Sequence, residues 1–397
     1  MSEKRRDSKN RILRSGESQR KDGRYAYKYT DPTGKTQFVY AWKLVSTDKT
    51  PAGKRDDISL REKEKEIQRD LDDGIDTIGK KMTVCQLYAK YTRHRANVKH
   101  NTKKGRDQLM KLLSEDKLGA TAIDCVKMSD AKEWALRMRE KGMAFKTISN
   151  HKRSLKAAFY TAIQDDCIRK NPFDFQINTV LDDDTEPKVP LTPAQEKELL
   201  LFARNDKTYQ KYYDELIILL ETGLRISELC GLTETDLDFE NRFINIDHQL
   251  LRSAELGYYI GTPKTDSGIR QIPMTEKAYE AFKRVLENRS GVKQMVIEGY
   301  TNFLFLNQNG LPKVSANYDA MFSCLAKKYN KCHEEPLPKV MTPHTMRHTF
   351  CTKKANAGMN PKALQYIMGH ANITMTLNYY AHATFASAKA EMERLAA

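Results

Sequence analysis

Four short stretches in the second half of the chain carry residues suited to chemistry on an anion. In TGLRISELCGL, the apolar run DELIILLET stops at Gly223 and leaves Arg225 in the turn before the next helix; by itself, pairing with Glu228 or Glu221 explains that arginine equally well. In TPKTDSGIRQIP, two strand-like runs flank a polar turn containing Gly268. Lys264 stands where the first run leaves the sheet, although a surface lysine needs no function. In TPHTMRHTF, Thr342 suits an N-cap and Pro343 the first helical position, so His344 and Arg347 fall on one face of the opening turn. Unpaired amides and the positive end of the helix dipole make that turn a place for a phosphate, but H-x-x-R alone is a common pattern. Finally, Asn360-Pro361 opens a helix that Gly369 can end, leaving His370 at the turn of GHANITMTLNYYAH, which closes on two adjacent tyrosines.

Helical periodicity separates those tyrosines. A short helix from about Asn372 puts Ile373, Leu377 and Tyr380 on one apolar stripe, and Asn372, Thr376 and Tyr379 on a polar one. This reading assigns Tyr380 to packing and leaves Tyr379 facing outward.

The charge of the whole chain agrees with an anionic partner. Its 397 residues carry a formal net charge of +15, which favours a polyanion. Residues 1–55 hold 15 Lys and Arg against 6 Asp and Glu, a net of +9. Hydrophobic residues at 40% and charged residues at 30% fit a globular protein, and no apolar run approaches the ~20 residues that span a bilayer. The basic start, MSEKRRDSKNR, has no apolar stretch after it and so lacks the core of a secretory signal; a cytoplasmic protein without membrane partners is expected. The seven cysteines (Cys85, Cys125, Cys167, Cys230, Cys324, Cys332 and Cys351) are odd in number and never spaced as CxxC, so reduced thiols are expected. No His/Asp/Glu cluster at ligand spacing suggests a metal.

The elements that must position these residues fall into several domains, because single cores rarely exceed roughly 250 to 300 residues. Residues 1–20 are polar and aperiodic and read as a flexible arm. Then Tyr25, Tyr27 and Tyr29, and Phe38, Tyr40 and Trp42, alternate on either side of DPTGK, a β-hairpin that a helix over residues 58–73 would cover. With Arg24 and Lys28 beside its aromatics, the hairpin either enters a major groove or is a small packed sheet. Four helical patterns follow from Thr83. In the last, Ile148, Leu155, Ala158, Phe159 and Ala162 form the apolar stripe, with Lys152, Arg153 and Lys156 off it on a basic outer face. The segment DDDTEPKVPLTP is an acidic, proline-rich linker. A mixed domain comes next, with a capping box at Thr192, strands in FINID, YYIGTP and IRQIP, and helices to the end. The expected fold is thus multidomain α+β: a small sheet-plus-helix domain (1–75), an all-helical domain (82–181), a linker (182–191) and a mainly helical domain with a small antiparallel sheet (192–397).

In this order, Arg225 in TGLRISEL, Lys264 on a hairpin, His344-x-x-Arg347, Gly369-His370 and a tyrosine nine residues after that histidine resemble the tyrosine recombinases of the lambda-integrase family. The stretch KTISNHKRSLKAAFYTAIQDDCIRKNPF resembles that family's core-binding domain, and the basic hairpin domain resembles the arm-binding domain of integrases from conjugative transposons. One departure concerns His382: many family members have histidine two residues after the nucleophile, and His382 stands two after Tyr380 but three after Tyr379. Counting from His370, like the helical stripe, selects Tyr379.

The resemblance implies site-specific recombination of a mobile element, integration and excision alike, by transesterification. Tyr379 would form a 3′-phosphotyrosine, Arg225 and Arg347 would hold the phosphate, His344 would act as base, Lys264 would protonate the leaving 5′ oxygen, and His370 would donate to the phosphate. It also implies no metal or ATP, and four protomers on two double-stranded DNA partners exchanging strands through a Holliday junction. Core and arm attachment sequences would be read by the two DNA-binding domains, with room for an excisionase and a host DNA-bending protein. The C-terminal ASAKAEMERLAA reads as a helix that docks on a neighbouring subunit or on its own domain. Two competing readings remain: a type IB topoisomerase, and a non-catalytic DNA-binding protein of the same fold.

Overall fold

The computed structural model describes residues 5–31, 34–73, 75, 79–263, 265–288, 295–380 and 392–393. Lys264, His382 and the C-terminal ASAKAEMERLAA, apart from two residues, lie outside them. The chain divides into two compact units, Met1–Thr185 and Glu186–Ala397, and the fold is mixed α+β.

The first unit begins with an antiparallel sheet of β1 (Glu17–Gln19), β2 (Tyr25–Thr30) and β3 (Thr36–Ala41). Strand alternation turns Tyr25 and Tyr27 toward α1 (Leu60–Asp72), where they are buried with Leu60 and Ile67. The register sets Lys28 opposite Phe38 and Ala26 opposite Tyr40. The second face therefore presents Lys28, Phe38 and Tyr40, all exposed. The flexible arm expected over residues 1–20 is corrected for its described part, residues 5–20. Asp7 is buried and accepts from the Arg11 backbone (2.7 Å), Arg11 Nε (2.8 Å) and Tyr25 Oη (3.0 Å). Glu17 on β1 is buried as well and accepts from Arg61 Nε at 2.9 Å. Polar groups order this segment, so hydrophobic periodicity could not reveal it.

A second core in the same unit is helical: α2 (Val84–Arg93), α3 (His100–Ser114), α4 (Lys117–Ala120), α5 (Met128–Glu140) and α6 (Phe145–Gln164). Its centre is Trp134, fully buried and edge-on to Phe173 with ring centroids 6.0 Å apart. Trp134→Ala is expected to destabilise this core by about 3–5 kcal/mol, the usual range for emptying a buried aromatic site. Chemical denaturation followed by circular dichroism would read it.

The second unit runs α7 (Pro193–Asn205), α8 (Tyr213–Thr222), α9 (Ile226–Gly231), β4 (Leu237–Asp238), β5 (Phe243–Ile246), β6 (Gln249–Ser253), β7 (Gly257–Gly261), β8 (Arg270–Pro273), α10 (Glu276–Glu287), α11 (Ser315–Cys332), α12 (Pro343–Asn356), α13 (Pro361–Met368) and α14 (Ile373–Leu377). Strand β8 pairs with β5, Ile246 opposite Arg270, and β7 pairs with β6. The expected hairpin of YYIGTP with IRQIP is therefore replaced by two separate pairings, and the segment between β7 and β8 joins two sheets. The missed strand β6, QLLRS, which precedes YYIGTP, lacks the alternation that marks a half-buried strand. Among the described residues, no helix is long and apolar enough to cross a membrane.

Candidate active site

Helix α8 is buried over most of its length and ends at Gly223, whose φ of 63° is left-handed. A Cβ there would lie 2.4 Å from the Phe350 ring, so both backbone and space require glycine. This stop delivers Arg225 to the N-cap of α9, where Glu228 accepts from the Arg225 backbone at 2.9 Å and from its Nη1 at 2.6 Å. The partner that explained the arginine away in the sequence is thus present, but it does not use up the guanidinium. Arg225 Nη2 reaches across 144 residues to the carbonyl of Gly369 at 2.8 Å, and the side chain stays partly exposed.

Helix α12 begins as its sequence requires, with Thr342 as N-cap and Pro343 at the first position, and it carries His344 and Arg347. Arg347 is buried; Nη1 donates to Gly223 O at 2.6 Å and Nη2 to Met368 O. Helix α13 is capped by Asn360, whose side chain accepts from the Lys362 backbone, and ends at Gly369 with φ of 59°. His370 follows, buried, with Nδ1 2.9 Å from Thr376 Oγ1.

A cavity of about 320 Å³ gathers Arg225, His344, Arg347, Lys188 and Asp319. A larger one, about 660 Å³ beside α7 and α12, is lined by residues such as Leu200, Leu201 and Tyr213 and assembles no comparable set. The His344 side chain is exposed at the cavity mouth, yet the protein packed around it and then the cationic Lys188 and Arg347 hold its pKa down at about 4. Burial, then Arg347 and Arg225, does the same to His370, also about 4. Both imidazoles are neutral at pH 7. Burial and then Arg225 press Arg347 down to about 9, which leaves it charged. Burial alone would raise Glu228, yet Arg270 first, then Arg225 and Arg347, bring it below the ordinary glutamate value. Three guanidinium groups therefore face one carboxylate, an excess of positive charge inside a protein that an incoming anion would relieve.

The two tyrosines differ, though not for the reason the helical stripe gave. Helix α14 ends at Leu377, so neither tyrosine is helical; Leu377 is exposed and Thr376, placed on the outward stripe, is fully buried under His370. Both rings pack against the cluster of Phe350, Cys351, Leu364 and Met368. The Tyr380 hydroxyl donates to Met359 O at 2.5 Å, whereas no described residue is a hydrogen-bond partner of the Tyr379 hydroxyl. Tyr379 is half-buried, its ring centroid 5.0 Å from that of His348. Burial raises its pKa, with Arg347 pulling the other way.

This geometry can be set beside known proteins. The phage integrase family profile matches residues 190–387, and that of the DNA binding domain of Tn916 integrase matches residues 1–71. The transposase from transposon Tn916 of Enterococcus faecalis is 67% identical over 395 residues, covering 100% of this chain and 97% of that protein. The chain belongs to the phage integrase family of tyrosine recombinases. Among solved structures, the Tn1549 transposon integrase (residues 82–397, R225K) with circular intermediate DNA is 71% identical, with a TM-score of 0.76 over 79% of this chain and 99% of that one. A second form, carrying Y379F and bound to transposon right end DNA, is 71% identical, with a TM-score of 0.75 over 80% of this chain and 100% of that one.

As a tyrosine recombinase, the protein breaks and rejoins DNA strands, and its first unit carries the residues expected to touch DNA. Arg24 pairs with Asp22 at 2.7 Å and stacks over Tyr40 and Trp42, beside exposed Lys28. On α6, Arg153 is exposed and Lys156 pairs with Asp174 at 2.5 Å. Lys152 departs from the expected outer face: it is buried, its ammonium 4.6 Å from the centroid of the Phe175 ring and donating to Phe175 O. Sequence reasoning missed Lys188, which it placed only in an acidic linker, and His348, whose buried Nδ1 has no hydrogen-bond partner among the described residues. It also missed Arg270, whose signal was an arginine at the inward position of a short strand. A trio of Asp236, Asp247 and His248 has metal-ligand spacing, but both ring nitrogens of His248 already face Asp247 Oδ1 (2.5 Å) and Gly231 O (2.7 Å).

Proposed function

We propose that this recombinase integrates and excises a mobile DNA element by two rounds of transesterification. Tyr379 Oη attacks the scissile phosphorus, the bond to the 5′ oxygen breaks, and a 3′-phosphotyrosine and a free 5′-hydroxyl result. The 5′-hydroxyl of the partner duplex then attacks that ester and releases the tyrosine. The observation that carries this reading is the convergence of Arg225 and Arg347 on one turn beside Tyr379, with more guanidinium than carboxylate charge. Paired guanidinium donors stabilise charge on a pentacoordinate phosphorus. The ester preserves the energy of the cut bond, so the scheme needs neither ATP nor a metal. Lys264, by its place in the family pattern, would protonate the 5′ oxygen. The substitutions R225K and Y379F studied in the Tn1549 integrase carry the numbers of Arg225 and Tyr379 here, which supports both assignments.

By the same reading, residues 1–75 bind arm sequences through Arg24 and Lys28. Residues 82–181, with Arg153 and Lys156, and residues 192–397 bind the core site, joined by the linker 182–191. Four protomers assemble on two duplexes and pass through a Holliday junction, with an excisionase and a host DNA-bending protein as accessory partners. Covalent capture on a nicked duplex, followed by an assay for exchange between two attachment sites, tests the proposal. Relaxation of supercoiled DNA without exchange would favour a type IB topoisomerase, and absence of any adduct a binding protein.

The base has a titration signature. A neutral His344 accepts the tyrosine proton, and protonation from solvent removes that capacity, so the rate falls as pH falls through its pKa. At low DNA concentration the acid limb should lie near 4, the free-protein value. At saturating DNA it should move to higher pH, because a bound phosphate favours imidazolium. His344→Gln should lower the adduct rate by roughly 10²–10⁴-fold and erase the limb. An unchanged profile in that variant would remove His344 from the role.

A further inference from the structure

Three consecutive carbonyls at the end of α13 each take a different arginine: Ile367 O accepts from Arg270 Nε at 2.6 Å, Met368 O from Arg347 Nη2, and Gly369 O from Arg225 Nη2 at 2.8 Å. The last carbonyls of a helix have no partners within it and sit at the negative end of its dipole, so cations belong there. Two of these arginines are the phosphate-holding pair. The third has no such part in the reaction.

We propose that Arg270 is a positioning residue for strand cleavage, holding Arg225 and the turn of His370 in one arrangement without touching DNA. Its side chain is fully excluded from solvent. Besides Ile367 O, it donates to Gly268 O at 2.8 Å and grips Glu228 with both terminal nitrogens, at 3.2 and 2.9 Å. Because Glu228 is shared, the Arg225 guanidinium engages it through Nη1 alone and keeps N–H donors for a phosphate. Without Arg270, Glu228 would be free to take Arg225 in a bidentate pair and withdraw it from the cavity. Packing makes the same link independently: a Cβ on Gly369 would stand 3.0 Å from Ser267 O and 3.1 Å from Arg270 Nη1, so the turn before His370 lies directly on this guanidinium.

The inference rests on the transesterification reading but not on which tyrosine attacks. The test uses the full chain and a nicked form of the circular intermediate DNA bound by the Tn1549 integrase, in single-turnover adduct formation. Arg270→Met should lower the saturated rate by 100-fold or more while the DNA concentration at half-saturation changes by less than threefold. Arg270→Lys, which keeps the charge but not the fork, should recover part of the rate. If Arg270→Met does not fold, the pair-removing Arg270→Met/Glu228→Gln variant and Arg270→Lys are compared by the same split. A folded Arg270→Met protein with a saturated rate within threefold of the parent overturns the proposal, as does a loss confined to half-saturation. A Tyr379→Phe control that still forms adduct would instead refute the nucleophile assignment and leave the Arg270 comparison readable.

Discussion

Tyr379→Phe is expected to abolish the covalent protein–DNA adduct, and Tyr380→Phe to leave it within a few-fold of the parent rate. The Tyr380 hydroxyl is committed to Met359 O, and its ring packs in the cluster under α12 and α13. Removing that hydroxyl forfeits one hydrogen bond, worth about 0.5–1.5 kcal/mol of stability, and should appear as a modest drop in melting temperature. Tyr379 follows the turn that buries Thr376 against His370; burial raises its pKa, and the nearby Arg347 charge only partly offsets that rise. Without its oxygen there is nothing to form the ester. Denaturing gels of each variant with a nicked duplex separate the outcomes. An adduct retained by Tyr379→Phe and lost in Tyr380→Phe would transfer the role to Tyr380, the residue that the spacing of His382 favours.

The second large effect is expected at Arg347. An oriented donor to a charged transition state contributes roughly 3–4 kcal/mol, a factor of about 10²–10³ in rate. Arg347→Ala removes a guanidinium and also strands the carbonyls of Gly223 and Met368, so a loss on the order of 10³ in the saturated adduct rate is the expected minimum. Arg347→Lys should recover little, because a single ammonium cannot serve two carbonyls from different elements and a phosphate at once. Binding should weaken far less than cleavage, since a chain of net charge +15 has many other basic groups to offer to phosphates. Comparable losses in both would mean that Arg347 serves affinity alone.

Local signals in the sequence were reliable where the backbone itself encodes the element. Thr342-Pro343 opens α12, and Asn360-Pro361 with Gly369 brackets α13, because caps and left-handed stops act within a few residues. They were sufficient to put His344, Arg347 and His370 at helix ends. Long-range polar pairing was invisible: the docking of residues 5–20 through Tyr25 and Arg61, the burial of Lys152, and the role of Arg270 all depend on partners distant in sequence. The stripe argument for the tyrosines failed because α14 has only five residues, too few for periodicity to govern. Thr376 turned inward to satisfy His370, a demand that no pattern of apolar residues expresses.

The three carbonyls at the end of α13 also bear on how the site tolerates change. Met368, the last residue of α13, and Gly369, the left-handed residue that ends it, are neighbours in the chain, so their carbonyls are held a short, nearly fixed distance apart. The anchor points of Arg225 and Arg347 inherit their separation from two adjacent residues of one backbone, so neighbouring side chains need not set it. Sequence drift that shifts the helix end would carry both guanidinium groups along together, preserving their alignment to each other while altering their aim at the DNA.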